Sequence, residues 1–298
     1  MRFSFWPNPS QSFDDVLELT THAEQTGWDG VWYADHFMPN AEDTSAPWPE
    51  AWTTLAALGS RTEKLRLGTL VTGNTYRHPA VLAKMAATLD HITHGRVVLG
   101  LGSGWQENEH RQYGIEFYTV AERLARLDEA CQVIKALFHD QHANFEGQFY
   151  QLSNASLEPK PVQHPLPLLI GGGGEKVTLK ITAKYADEWN VWGDPAILRQ
   201  KMDILDGHCA EIGRDPKEIQ RSAVALLFMS DDNAFLEQMR NTDMQQPAII
   251  GTPEEVRDVV TEYEYAGVDE LIVPDFTMGN KDQKLAIMDT FLKEVAQR

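Results

Sequence analysis

Four consecutive glycines, Gly171, Gly172, Gly173 and Gly174, follow the apolar run Leu168–Ile170 and precede a helical pattern. Glycine has no Cβ and tolerates positive φ, so such a turn can aim several backbone N–H groups at one anion at the start of the next helix. That chemistry is phosphate binding. The competing reading is a tight strand-to-helix turn that needs only flexibility, although the entropic cost of four adjacent glycines favours a ligand. At the end of another apolar run stand Asp35 and His36. A histidine there can donate a proton or hydrogen-bond a ring nitrogen, or it can merely finish a strand. Trp6, Trp105, Trp189 and Trp192 also sit at or just past apolar runs. One tryptophan in such a place is usually core or rim; four bring ring stacking into competition. A flat phosphorylated cofactor, a flavin or deazaflavin, suits both the stacking faces and the cradle.

Other candidate chemistries have less to stand on. His91 and His94 are spaced i, i+3 but precede an apolar run, where a barrel carries stability rather than catalysis. Glu107, Glu109 and His110 lack the H-E-x-x-H spacing of a zinc protease and read as a charged, solvated loop. No metal site is expected. Cys131 and Cys209 have no partner at ligand spacing and read as free and buried. A Schiff-base lyase would want a lysine at a strand end, and none stands there. A flavin-binding barrel without catalysis remains an alternative to an enzyme.

These residues must be positioned by elements that the hydrophobic pattern marks out. Apolar strands are predicted at Arg2–Trp6, Trp28–Ala34, Leu65–Thr72, Arg96–Leu101, Leu168–Ile170, Glu188–Val191, Ser222–Phe228 and Glu270–Val273. Helical patterns alternate with them, one starting at Pro79 and one with the capping box at Thr252–Glu255. Eight such units in 298 residues predict a closed (β/α)8 barrel spanning 1–298, in which every strand-end candidate above meets at one mouth. The segment 140–167, with a hairpin turning at Glu146-Gly147, interrupts the alternation as an insertion. The run GLGSG at 100–104 lacks the third glycine of a dinucleotide fingerprint, which disfavours an open Rossmann sheet.

Charge bounds the partners. With 44 acidic against 26 basic residues, the formal charge of −18 repels nucleic acid and anionic membranes. A small molecule is the expected partner. MRFSFWPNP carries no apolar run of signal-peptide length, and no run of 18 uncharged apolar residues occurs, so a soluble cytoplasmic protein is expected.

YADHF at 33–37, THGRVVLGLGSGW at 93–105 and LLIGGGGEKVTLKITAKYADEWN at 168–190 resemble the luciferase-like monooxygenase family, particularly the branch that uses the 8-hydroxy-5-deazaflavin coenzyme F420. The resemblance runs almost end to end and implies a barrel binding F420 or reduced FMN, with the ring in the mouth and the phosphate at the glycine run. It implies that His36 serves the ring with Asp35 as its acidic neighbour, and that Leu70 and Val71 are joined by a non-prolyl cis bond in a bulge behind the ring, with Thr72 beyond. Ser103, Gly104 and Asn108 match positions lining the coenzyme tail, and a homodimer is implied. Where the sugar-phosphate dehydrogenases of this branch carry a tryptophan four residues after the histidine and a glutamate after G-T-G, this chain has Asn40 and Trp105. An apolar or aromatic substrate is expected instead of a sugar phosphate. The chemistry expected is hydride transfer, or oxygenation if reduced FMN and oxygen are used.

Overall fold

The computed structural model describes residues 1–297. The chain opens with β1 (Arg2–Trp6), α1 (Phe13–Thr26), β2 (Gly30–Tyr33), α2 (Ala51–Gly59), β3 (Arg66–Thr69) and the two-residue β4 (Thr72–Gly73). It continues through α3 (Pro79–Ile92), β5 (Val97–Gly102), the short α4 (Glu107–Tyr113) and the long α5 (Val120–His139). A hairpin of β6 (Ala143–Glu146) and β7 (Gln151–Ala155) precedes β8 (Leu168–Gly171), α6 (Thr178–Tyr185), β9 (Glu188–Trp192) and α7 (Pro195–Glu211). The last part holds β10 (Gln220–Val224), β11 (Leu226–Met229), α8 (Asn233–Arg240), β12 (Ala248–Gly251), α9 (Pro253–Tyr265), β13 (Glu270–Pro274) and α10 (Lys281–Thr290).

The parallel order β3-β2-β1-β13-β10-β9-β8-β5 closes through β3–β5 pairing. This is the eight-stranded barrel expected from the alternation, wrapped by helices. Its strands are buried on both faces because inward side chains fill the barrel while outward ones meet the helices. Two apolar clusters result. Trp6, Trp32, Ala34, Leu70, Val98, Leu169, Val224 and Ile272 form the smaller cluster, and the larger lies between strands and helices, including Phe5, Val31, Leu67, Leu99 and Trp189.

At the strand starts the barrel is stoppered by charge. Arg66 pairs with Glu188 and, at 2.8 Å, with Glu270; Arg2 reaches Glu270 at 3.1 Å, and Trp32 Nε1 donates to Glu270 Oε1 at 2.8 Å. Burial pushes the Glu270 carboxyl up, but Arg66 and Arg2 outweigh it and hold the pKa below its usual range. The barrel interior at this end is thereby filled by charged side chains and Trp32.

Two elements differ from the sequence expectation. The predicted seventh strand is two strands, because β11 leaves the barrel after Ala225 to pair in parallel with β12. Both halves are largely buried, so apolarity continues across the break and leaves no mark in the pattern. The hairpin turn is also wider than two residues. The Glu129 carboxylate accepts from the amides of Gln148, Phe149 and Tyr150 at 2.7, 2.9 and 3.1 Å, which fixes a four-residue loop. No described helix is long and apolar enough to cross a membrane. Cys131 and Cys209 are free and buried, as expected.

Candidate functional site

A cavity of about 920 Å³ opens at the C-terminal ends of the barrel strands. Trp6 comes to it from β1, His36 from just past β2, Leu70 and Val71 from between β3 and β4, Ser103 and Gly104 from past β5, Gly171 and Gly172 from β8, and Trp192 from β9. Trp105 lies on the rim, 60% exposed, with its ring edge-on to His36 at 5.4 Å. These are the candidates that the fold brings together.

His36 is held from behind. Its Nδ1 lies 2.8 Å from Glu109 Oε1, and the other carboxylate oxygen accepts from the Phe37 amide at 2.7 Å. The Tyr76 hydroxyl donates to Glu109 Oε1 and lies 3.3 Å from His36 Nδ1. Burial would raise the Glu109 pKa, yet the His36 hydrogen bond and charge, with the Phe37 amide and Tyr76, bring it below the usual value. Burial first, and the neighbouring Glu109 next, push the Tyr76 hydroxyl far up, so it stays protonated. An ionised carboxylate can only accept. His36 therefore carries its proton on Nδ1 when neutral, and Nε2, which has no partner among the described residues, keeps its lone pair for whatever occupies the cavity that His36 lines.

Glu109 and His110 correct the expectation of a charged, solvated loop. Both are fully buried on α4, and His110 Nδ1 is 2.6 Å from the Gln106 carbonyl while Nε2 is 2.7 Å from Thr75 Oγ1. Gly114, in the left-handed conformation at φ 69°, ends the helix. That stop signal was readable in the sequence; the inward turn of one face of a seven-residue helix was not.

The Leu70-Val71 peptide is cis, as the resemblance implied. Val71 packs toward β5 and β8, where a Cβ on Gly102 would come within 2.7 Å of Val71 Cγ2, and one on Gly171 within 2.8 Å of Val71 Cγ1. Gly171 thus has the space of its Cβ already taken by Val71. Gly172 adopts φ 123°, and its amide donates to the Asn190 carbonyl at 2.9 Å, so it is not a free cradle donor. Among the described residues, the amides of 173–177, which include Gly173 and Gly174, have no intramolecular acceptor. Lys201 lies beside them, with Cε 3.7 Å from the position of a Cβ on Gly173 and Nζ 2.6 Å from Glu175. The amides without an acceptor therefore overlap the predicted cradle, 171–174, only at Gly173 and Gly174.

Besides Gly173 and Gly174, four candidates do not line the cavity. Asp35 is fully buried and paired with Arg77 at 2.7 Å; burial raises its pKa despite that partner. Thr72 accepts from Trp52 Nε1 at 3.0 Å and donates to Thr69 Oγ1 at 3.2 Å. Asn108 donates to the Pro39 carbonyl at 2.9 Å and accepts from the Glu109 amide. Trp189 points outward into the strand–helix core, where Nε1 donates to the Gly172 carbonyl at 2.9 Å. Period-two alternation explains the last case, since Trp192 lies an odd number of residues away and takes the other face.

Residues 1–239 match the family model for luciferase-like monooxygenase. The chain belongs to this family. Curated members of the luciferase-like family similar to it include an F420-dependent glucose-6-phosphate dehydrogenase of Amycolatopsis mediterranei (strain U-32), 40% identical over 174 residues. That match takes in 58% of this chain, which spans about half the length of the relative, 50%. The enzyme of the same description from Microbacterium testaceum (strain StLB037) is 32% identical over 246 residues, 80% of this chain and 72% of the relative. Among solved structures, an F420-dependent secondary alcohol dehydrogenase in complex with an F420-acetone adduct superposes with TM-score 0.86 at 23% identity, covering 99% of this chain and 98% of that one. A long-chain alkane monooxygenase superposes at 0.84 with 15% identity, covering 100% and 91%. Such distant structural likeness establishes the luciferase-like barrel and no more.

Proposed function

We propose that this chain is a deazaflavin-dependent oxidoreductase that binds coenzyme F420 in the barrel mouth and exchanges hydride with a small, apolar or aromatic substrate. The observation that carries the reading is His36, an imidazole at a large cavity with one nitrogen tied to a buried carboxylate and the other without a partner among the described residues. Bound F420 supplies a two-electron hydride acceptor or donor; the protein supplies the proton chemistry and the geometry. The residues fit such a coenzyme. Val71 fills the space that Cβ atoms at 102 and 171 would take, giving a wall for a flat ring. The unpartnered amides of 173–177, beside Lys201, suit its phosphate. His36 Nε2 takes the hydroxyl proton when an alcohol is oxidised and returns one when a carbonyl is reduced.

The test is a parallel titration with F420 and FMN, followed by desalting and a spectrum. Tighter retention of F420 supports the reading, and retention of neither overturns it. The family name favours a second reading, FMN-dependent oxygenation, which predicts substrate-dependent oxygen uptake with reduced FMN. A flavin-binding barrel without catalysis would retain the cofactor and turn over nothing across the substrate panel. Assembly as a homodimer belongs to the same reading and is checked by light scattering on the eluting peak.

A further inference from the structure

The cavity's two flanks differ in kind. On the side of β2, β3, β5 and β8 lie His36, Val71, Ser103 and the glycines. On the side of β9, β13 and β1 three aromatic rings, Trp6, Trp192 and Phe276, stand among the uncharged polar side chains of Asn8, Ser10 and Asn190. The Trp6 ring sits 5.8 Å from Trp192 at 48° and 5.2 Å from Phe276 at 66°, and all three line the cavity. Phe276, just past β13, is 40% exposed, so part of this cluster still lacks neighbours.

Charge is equally informative. Among the described residues that line the cavity there is no Lys, Arg, Asp or Glu, and the titratable side chains are His36 and Tyr76. Arg77, the cation nearest in sequence, is already bound to Asp35 at 2.7 Å and to Glu50 at 2.5 Å. A phosphate dianion seated against the aromatic wall would lose its hydration with no countercharge in return. The anionic part of a coenzyme can stay outside, at the amides of 173–177.

From this we infer that Trp6, Trp192 and Phe276 form the seat of an uncharged, ring-bearing alcohol or ketone. The inference rests on the deazaflavin-dependent reading of the same cavity and adds the substrate's chemical class. Aromatic faces reward a ring over a chain of equal carbon number, because a ring presents a flat face at little entropic cost. A site of about 920 Å³ is near the top of the range for small-molecule pockets, with room for a coenzyme ring and a second ring beside it. The phosphate of a sugar phosphate, the substrate class that names the similar curated enzymes, finds no countercharge among the described residues of this lining.

The test is calorimetric binding of acetophenone, 2-pentanone and glucose 6-phosphate to the wild type, to Phe276→Ala and to Trp192→Leu. Each protein is measured with and without F420, and F420 affinity is titrated separately. Acetophenone is expected to bind at least about fivefold more tightly than 2-pentanone, and glucose 6-phosphate not to bind. Each variant should weaken acetophenone about five- to tenfold while circular dichroism and F420 affinity hold. The inference is overturned if glucose 6-phosphate binds as tightly as acetophenone, or if both folded variants bind acetophenone as the wild type does. Failure of F420 to bind would sink the cofactor reading alone, since the ketone arms without coenzyme still report on the wall.

Discussion

His36 Nδ1 and Glu109 Oε1 stand 2.8 Å apart across 73 positions of sequence, joining the end of β2 to the buried face of α4. The carboxylate sets which imidazole nitrogen holds the proton. An amide in its place can offer either an acceptor or a donor, so the tautomer is no longer imposed.

Glu109→Gln is accordingly expected to lower kcat about 10²-fold, with F420 affinity within about twofold. Steady-state kinetics check this, and an unchanged kcat would remove Glu109 from the mechanism.

The same carboxylate predicts a stability profile. Its folded pKa lies below the ordinary 4.5, so its contribution is complete above that pH and is lost as pH falls through the lower folded value. The stability difference between wild type and Glu109→Gln, measured in urea, should be flat at neutral pH and shrink below about pH 4.5. A difference that grows on acidification would reverse the sign of the assignment.

His36→Ala should leave F420 bound and reduce kcat about 10²- to 10⁴-fold. His36→Asn discriminates proton transfer from mere hydrogen bonding, because an amide can do only the latter. Substantial rescue by asparagine would assign His36 an orienting role.

At the other barrel end, Arg66→Met leaves Glu188 and Glu270 buried without their principal cation. The expected loss is about 3 kcal/mol in urea unfolding. Coenzyme affinity of the folded variant should be unchanged, which a titration in the same buffer checks; a weakened affinity would show that the two ends are coupled.

At the glycine run the structure redirects the obvious experiment. Gly172→Val would strain a backbone at φ 123° and so confound folding with binding. Gly173→Ala is the cleaner variant, since its Cβ would meet Val191 Cγ2 at 3.0 Å in ordinary backbone geometry. We expect F420 affinity to fall about tenfold, with Tm little changed. Equal affinity would dissociate the phosphate from these amides.

The barrel was legible because period and length are local properties: its strands announced themselves by apolarity, and helices such as α3 and α9 by their starts. Placement at the mouth was legible where it depends on strand ends, as for His36, which lines the cavity just past β2. It was misread where facing decides. Trp189 and Trp192 look alike in sequence, and only the pleat separates core from cavity. Glu109 was passed over because a seven-residue helix is too short for periodicity to reveal its buried face. Asp35, chosen for its neighbour, had its charge already matched by Arg77, 42 positions away.

Val71 also has a combinatorial consequence. Its two methyl groups stand where Cβ atoms of residues 102 and 171 would be, so three positions on three separate segments share one volume. In a randomised library they cannot vary independently. Alanine at 102 or 171 alone overpacks the wall, at about 1–3 kcal/mol, whereas the same alanine combined with Val71→Ala should recover much of the loss. The glycine-rich run 100–104 that half resembles a dinucleotide fingerprint is, in part, the imprint of a valine some thirty residues upstream.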